Sequence, residues 1–269
     1  MKRFLLLAMA MGLTFWFGQG GCGGGRSSSG GGEDVSPWPD WPESGMVSIA
    51  FEDLPISERD EYDYNDFITD VTVVGTYTQG DLAQLELTSE ARARGTEYHG
   101  EFHLLISAGT FGSDGTYTVE YYDIDGTTLL NSTSGSFTGS TDLDLVIFDD
   151  TWAAQPSWNT YDGSGVGPGR VTKVFLNFDT PFPFDLGAPG DPLFFDSYLY
   201  IWETGEYIRF TDRRVIVAPI GWEWPEEFAA IWTVYPYNPT SGEGVTSGDP
   251  PSFTPYWYTE TATDNKWNP

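Results

Sequence analysis

Cysteine and basic residues are both scarce in this chain. Cys22 is the single cysteine among 269 residues, so no disulfide can form within the chain. Lys and Arg number 12 against 40 Asp and Glu, which gives a formal net charge of −28. A surface this acidic repels nucleic acid and anionic lipid headgroups, so neither is expected as a partner. The same charge is compatible with cation binding, a saline habitat or plain solubility.

The apolar run near the N-terminus is too short for a comfortable membrane span of ~20 residues. Met1-Lys2-Arg3 precedes this run, Phe4 through Phe17 form it, and Gly20-Gly21-Cys22 follows it. A positive start, a short apolar stretch and small residues before a cysteine predict a signal peptide over residues 1–21. The pattern resembles a bacterial lipoprotein signal, in which the cysteine becomes the lipidated first residue of the mature chain.

Cys22 is therefore the predicted lipidation site, and outer-membrane lipid is the predicted partner of the anchor. Gly23 follows it in place of the aspartate that retains lipoproteins in the inner membrane, so the outer membrane is the expected location. Ordinary signal-peptidase cleavage and free secretion is the alternative, because Gln19 stands where lipoprotein signals carry an aliphatic residue. Residues 22–45 are rich in Gly and Ser and then in Pro and Trp, which predicts a tether that holds a domain clear of a lipid surface.

From Met46 onward, short alternating runs are separated by Gly, Asp, Asn and Pro, which predicts strands. We expect a mostly β fold, an antiparallel β-sandwich-like domain over 46–260 with one short α-helix near the C-terminus and a tail over 261–269. Asp125-Gly126 predicts a tight hairpin turn, because glycine accepts a positive φ. The predicted strands are Val47–Phe51, Phe67–Thr78, Ala83–Thr88, Glu101–Ala108, Thr116–Tyr122, Leu143–Phe148, Val171–Phe178, Leu199–Trp202 and Arg214–Ala218.

The one predicted helix follows Trp224-Pro225-Glu226-Glu227, where a proline and two acids are typical of a first helical turn. Its apolar face recurs at helical spacing, and Pro236 ends it. So short a helix needs burial against a sheet to persist. The residues of that face are Phe228, Ile231, Trp232 and Tyr235.

The segment from Phe51 to Phe67 is unusually acidic and lies directly before a predicted strand. Glu61, Asp63 and Asn65 are two residues apart, so in an extended chain they share one face, with Asp66 on the other. Carboxylate and amide oxygens are the ligands that calcium prefers, and calcium takes 6–8 of them. We therefore predict a calcium site here. The alternative is a solvated acidic loop whose Asp and Asn side chains cap turns. The predicted ligands are Glu61, Asp63, Asn65, Asp66, Glu52 and Asp53.

Four sequence blocks, taken together, resemble the LruC domain of bacterial surface lipoproteins. The resemblance implies an exported protein and a β-rich domain, and it implies location and fold more than any activity. The blocks are Phe51-Glu52-Asp53-Leu54 with Asp63-Tyr64-Asn65-Asp66-Phe67; Ala91-Arg92-Ala93-Arg94-Gly95 with Tyr98-His99-Gly100-Glu101-Phe102; Pro192-Leu193-Phe194-Phe195 through Thr204-Gly205-Glu206-Tyr207-Ile208; and Trp222-Glu223-Trp224-Pro225-Glu226-Glu227 with Ile231-Trp232-Thr233-Val234-Tyr235-Pro236 and Trp257-Tyr258.

Several tryptophans stand beside Pro, Asp and Gly, as in loops or at domain ends. Exposed there, they could stack on sugar rings or form a patch for an envelope protein. The alternative is that they fill the ends of the sandwich. The predicted ligand surface comprises Trp152, Trp158, Trp222 and Trp257.

We predict a binding or structural role at the cell surface and no enzymatic activity. His99 and His103 are not accompanied by an HExxH motif, and no Gly-x-Ser-x-Gly nucleophile motif is present. The alternative is a secreted carbohydrate-active hydrolase that uses two carboxylates ~5–10 Å apart. Acidic residues are so abundant that any pair could be chosen, and the sequence leaves the natural ligand and the oligomeric state open.

Overall fold

The structure is a computed structural model that describes residues 46–53, 63–160, 167–187, 193–210, 214–234 and 266–267. The chain divides into two compact units, Met1–Val35 and Ser36–Pro269, and every described residue lies in the second. The predicted signal peptide, Cys22 and tether lie outside the described residues, as do Glu61 and Trp257.

Strands account for most of the described residues. In the described part of the chain, no helix is long and apolar enough to cross a membrane. The elements are β1 (Met46–Phe51), β2 (Phe67–Thr78), β3 (Asp81–Arg94), β4 (Gly100–Ile106), β5 (Gly115–Tyr122), β6 (Leu129–Phe137), β7 (Leu143–Phe148), α1 (Thr151–Ala154), β8 (Val171–Phe182), β9 (Asp196–Ile201), β10 (Glu206–Arg209), β11 (Val215–Pro219), β12 (Trp224–Pro225), α2 (Ile231–Val234) and β13 (Lys266–Trp267).

Two antiparallel sheets form the body of the fold. One has seven strands in the order β11-β1-β2-β3-β8-β5-β6, and the other has four in the order β10-β9-β4-β7. A further antiparallel pair joins β12 to β13. The predicted antiparallel sandwich-like arrangement is confirmed. The hairpin between β5 and β6 turns at Asp125-Gly126, where Gly126 has a φ of 65°, so this turn is confirmed as well.

The main core lies between the two sheets. Phe51 and Phe67, from the seven-stranded sheet, contact Phe102 of the four-stranded sheet with ring centroids 5.7 and 6.0 Å apart. Leu85 and Leu104 are fully buried in the same cluster. Because alternate residues of a strand point to opposite faces, this cluster uses one face of each sheet.

A second apolar cluster covers the other face of the seven-stranded sheet. Ala50 and Ile68 alternate with core residues of β1 and β2, so they point away from the main core. Trp222, Trp224 and Ile231 pack there, which places residues 222–234 against this face. We call residues 222–234 the C-terminal segment. Its packing gives the short helix α2 the tertiary burial that a helix of this length requires.

The predicted helix is shorter in the structure than the spacing suggested. Trp224–Pro225 is a strand, and the helix itself covers only Ile231–Val234. Phe228, predicted on the buried face, has a φ of 64° and is 65% exposed. The N–H of Glu227 donates to the Thr160 carbonyl, and the N–H of Phe228 donates to a side chain, so neither enters a helical turn.

Candidate metal centre

Three carboxylates meet where β1 ends and β2 begins. Phe51 and Phe67 are partners across these two strands, so Glu52 and Asp66, one residue beyond each, are adjacent. Asp63 joins them, and ligand oxygens of the three side chains lie within 4.8 Å of one another. All three residues are at most 6% exposed. We call Glu52, Asp63 and Asp66 the carboxylate group.

The backbone after Asp63 bends around Glu52 instead of running extended. Glu52 Oε2 accepts hydrogen bonds from the N–H groups of Asp63 (2.9 Å) and Tyr64 (3.3 Å). Tyr64 has a φ of 54°, in the left-handed region of backbone conformation that residues other than glycine rarely adopt. Its ring is fully buried. The alternation predicted for an extended chain is therefore broken. Asp63 and Asp66 point into one group and not to opposite faces.

Asn65 has one satisfied and one unsatisfied polar atom. Its side chain is fully buried, and Nδ2 donates to the Pro225 carbonyl at 2.9 Å. Oδ1 has no hydrogen-bond partner within the described residues. A Cβ added to Gly95 would fall on both Asn65 Oδ1 and Glu227 Oε2, so these two oxygens face the same point. A buried oxygen with neither a hydrogen bond nor a cation costs about 1–3 kcal/mol.

Glu227 brings a carboxylate from the C-terminal segment to this place. Its Oε2 accepts hydrogen bonds from the Thr160 hydroxyl (2.5 Å) and from Trp158 Nε1 (3.4 Å). The next residue, Phe228, donates its N–H to Asp63 Oδ2 at 2.7 Å. The C-terminal segment is thus in direct contact with the carboxylate group.

Burial and mutual repulsion raise the pKa values of these acids. The pKa of Asp63 lies well above 3.8, first because the group is buried and then because Glu52 and Glu227 are negative. The pKa of Asp66 is also raised well above 3.8 by burial, with the charges of Glu52, Asp53 and Asp63 adding to the effect. Burial likewise raises the pKa of Glu227. Carboxylates placed in this way ionise together only with a cation among them.

Asp53 lies at the edge of the carboxylate group. Its side chain accepts a hydrogen bond from the Thr96 hydroxyl, and its N–H donates to Asp66 Oδ2 at 2.6 Å. Arg214 binds the backbone carbonyls of residues 52 and 53, and its Nη1 pairs with Glu206 at 2.6 Å. Burial raises the pKa of Asp53, although Thr96 and Arg214 lower it in part.

The atoms that could bind a metal ion at this site are all oxygens. Carboxylate and amide oxygens suit calcium, whereas zinc and copper sites normally include imidazole or thiolate ligands. Of the predicted ligands, Glu52, Asp63 and Asp66 meet, Asn65 is adjacent, Asp53 is at the edge, and Glu61 lies outside the described residues. Calcium itself stays a prediction. Glu227 was not among the predicted ligands, because its sequence context was interpreted as the first turn of a helix.

The predicted tryptophan surface is not assembled as one patch. Trp152 is 36% exposed, but its ring stacks on His99 at 4.5 Å and lies under the Arg94 guanidinium at 4.4 Å. His99 and Arg94 therefore take up part of the Trp152 ring surface that a ligand would need. Trp202, which was not among the predicted ligand-surface residues, stacks on His99 with ring centroids 5.6 Å apart and is 44% exposed.

Of the other predicted tryptophans, Trp158 shares the Arg94 guanidinium with Trp152, at 5.9 Å from the Trp158 ring centroid. Trp222 is 5% exposed and belongs to the second apolar cluster, so it offers no face to a ligand. Trp158 is half-buried and donates its indole N–H to Glu227. This bond connects Trp158 to the C-terminal segment.

No family model matches the chain, and no curated protein matches it. The fold is similar to the crystal structure of a protein from Bacteroides ovatus described as a "putative lipoprotein", at 10% sequence identity and a TM-score of 0.48. The match covers 83% of this chain and 75% of that chain. The resemblance to the LruC domain accordingly rests on the four sequence blocks.

Proposed function

We propose that this chain is an exported, lipid-anchored protein of the cell envelope, with a calcium-stabilised β-sandwich that has a binding or structural role at the cell surface and no catalytic one. The observation that carries the calcium proposal is the carboxylate group, in which buried ligand oxygens of Glu52, Asp63 and Asp66 lie within 4.8 Å of one another. The lipoprotein-like signal before Cys22 supports export and anchoring.

A calcium ion would convert the repulsion within the carboxylate group into ligation. Calcium binds oxygens at about 2.3–2.6 Å in flexible geometry, and calcium sites of extracellular modules have dissociation constants of about 10⁻⁴–10⁻³ M. The carboxylate group joins the end of β1 to the start of β2, both in the seven-stranded sheet. Calcium bound there would therefore stabilise the pairing of these two strands.

The predicted tether would allow the sandwich domain to lie at a distance from the membrane surface. A flexible chain of the length of residues 22–45 has an end-to-end distance of roughly 25–30 Å, enough to clear the headgroups of a bilayer. The net charge of −28 keeps the domain away from anionic lipid, which makes the anchor at Cys22 the expected membrane contact. The partner at the cell surface would be a glycan or an envelope protein.

Calorimetry on the mature chain, made with Cys22→Ala to keep it soluble, tests the calcium proposal. We expect saturable binding heat at calcium concentrations up to a few millimolar and a higher melting temperature in calcium than in EDTA. An absence of heat together with an unshifted melting temperature would refute calcium binding.

Metabolic labelling with radioactive palmitate tests the anchor. We expect the wild-type protein to incorporate label and to fractionate with outer membranes, and the Cys22→Ala variant to remain unlabelled. Unlabelled wild-type protein recovered from the medium would establish free secretion.

A further inference from the structure

The C-terminal segment is tied to the acidic segment at several points. Asn65 Nδ2 donates to the Pro225 carbonyl at 2.9 Å, and Phe228 donates its N–H to Asp63 Oδ2 at 2.7 Å. These contacts join residues separated by 160 and 165 positions in the chain. They bring Glu227, which lies between Pro225 and Phe228, near Asp63, although its oxygens are not among those of the carboxylate group that lie within 4.8 Å of one another.

Asn65 Oδ1 and Glu227 Oε2 are two acceptors brought to one place, where the Thr160 hydroxyl donates to Glu227 and no described group donates to Asn65 Oδ1. Asn65 Oδ1 has no hydrogen-bond partner among the described residues, although its side chain is fully buried. Both oxygens face the position that a Cβ on residue 95 would occupy, and residue 95 is a glycine. Asp63 is near enough to Glu227 for their charges to interact. A cation would satisfy Asn65 Oδ1 together with an ionised Glu227, because both oxygens then offer only lone pairs.

We propose that Asn65 Oδ1 and the Glu227 carboxylate complete the coordination of the calcium bound by Glu52, Asp63 and Asp66, and that the ion thereby fastens the C-terminal segment to the seven-stranded sheet. This inference rests on the calcium binding proposed above. Five side chains supply five oxygens if each binds once. One bidentate carboxylate or a bound water brings the number to the 6–8 that calcium requires.

If the ion joins the two segments, calcium binding should determine how stably the C-terminal segment packs on the seven-stranded sheet. Without the ion, the charge of Asp63 or Glu227 opposes ionisation of the other, and the contact between the two segments lacks the attraction that a shared cation would supply. The main core between the sheets contains neither residue and does not depend on this contact. Calcium should therefore slow amide exchange strongly in residues 222–234 and only weakly in β4 and β7.

Two measurements test the inference on the mature Cys22→Ala chain. The first is hydrogen exchange by mass spectrometry in EDTA and in calcium, for which we expect at least tenfold slower exchange in residues 222–234. The second is calcium calorimetry on Glu227→Gln, with Glu226→Gln as the matched control. Glutamine keeps an acceptor for the Thr160 hydroxyl, so the fold should survive. We expect Glu227→Gln to weaken calcium binding at least tenfold and Glu226→Gln to weaken it less than twofold.

The outcomes separate this inference from the proposed function. If wild-type protein binds no calcium, the proposed calcium role and this inference both fail. If wild-type protein binds calcium but Glu227→Gln binds it equally well, only this inference is refuted. It is likewise refuted if calcium binds but leaves exchange in residues 222–234 unchanged, a result that needs no variant to fold.

Discussion

Replacing Asp66 by asparagine should have opposite effects on stability in the absence and in the presence of calcium. Asp66 is 6% exposed, and its Oδ2 accepts the N–H of Asp53 at 2.6 Å. The charges that raise its pKa are those of Glu52, Asp53 and Asp63, all of them negative. Asparagine keeps an oxygen for the Asp53 N–H and offers an NH₂ group to the neighbouring carboxylates.

The size of the effect follows from the spacing of the carboxylate group. Ligand oxygens of its members lie within 4.8 Å of one another. Two unit charges at that distance repel by about 3–4 kcal/mol at an effective dielectric constant of about 20. Protonation of one acid relieves part of this repulsion, so Asp66→Asn should raise the free energy of unfolding in EDTA by roughly 1–3 kcal/mol.

In saturating calcium, the Asp66→Asn variant should instead be less stable than the wild-type protein. A ligand at a hundred times its dissociation constant adds about 2.7 kcal/mol to the free energy of unfolding of wild-type protein. Asp66→Asn removes a charged ligand and should lose most of that gain. Urea unfolding in EDTA and in saturating calcium measures both differences.

Asp70→Asn, on strand β2 four residues after Asp66, is the matched control. Asp70 is paired with Arg92 at 3.4 Å and is not a member of the carboxylate group. Its substitution should change the free energy of unfolding by the same amount in EDTA and in calcium. A lower stability of Asp66→Asn than wild type in EDTA, or an undiminished response to calcium, would contradict the reasoning.

Three further predictions concern the surroundings of the site. Because Asp63 and Asp66 have raised pKa values when folded, their contribution to stability is lost as the pH rises through those values. Lowering the pH from 7 to 5 should therefore raise the melting temperature in EDTA and lower it in calcium, where protons compete with the ion. Gly95→Ala should weaken calcium binding at least tenfold in calorimetry, because its Cβ would displace Asn65 Oδ1 and Glu227 Oε2. An unchanged affinity would exclude these two oxygens as ligands. Arg94→Lys should lower the free energy of unfolding in urea by about 2–4 kcal/mol, because lysine cannot serve all three backbone carbonyls that the guanidinium binds, two of them through buried bonds. A loss below 1 kcal/mol would mean that these bonds contribute little.

Alternation of apolar and polar residues predicted the strands with one buried face. β2 (Phe67–Thr78) and β7 (Leu143–Phe148) have the predicted bounds. In β7 the residues at 143, 145 and 147 are buried, whereas in β2 the buried residues lie in its first half, at 67–69 and 71. β6 (Leu129–Phe137) was not predicted. Most of its residues are exposed and it is rich in serine and threonine, so it offers no apolar face to recognise. Its backbone pairing with β5 at the sheet edge, which alternation does not detect, holds it in place.

The candidate site was predictable only where its parts are close in the sequence. Glu52, Asp63 and Asp66 belong to one acidic segment, and their meeting follows from the pairing of the strands on either side. The turn at Tyr64 could not be predicted, because its left-handed backbone depends on Glu52 accepting two N–H groups. The contact with Glu227 depends on the tertiary packing of the C-terminal segment.

A signal for that distant contact was nevertheless present in the blocks that resemble the LruC domain. The first block supplies Glu52, Asp63, Asn65 and Asp66, the second supplies Gly95, and the last supplies Glu227. The structure brings these three blocks to one place, although they come from distant parts of the chain. A Cβ at residue 95 would displace two side-chain oxygens, those of Asn65 and Glu227. The proposed calcium site would account for this convergence, because its ligands and their surroundings must meet at a single ion.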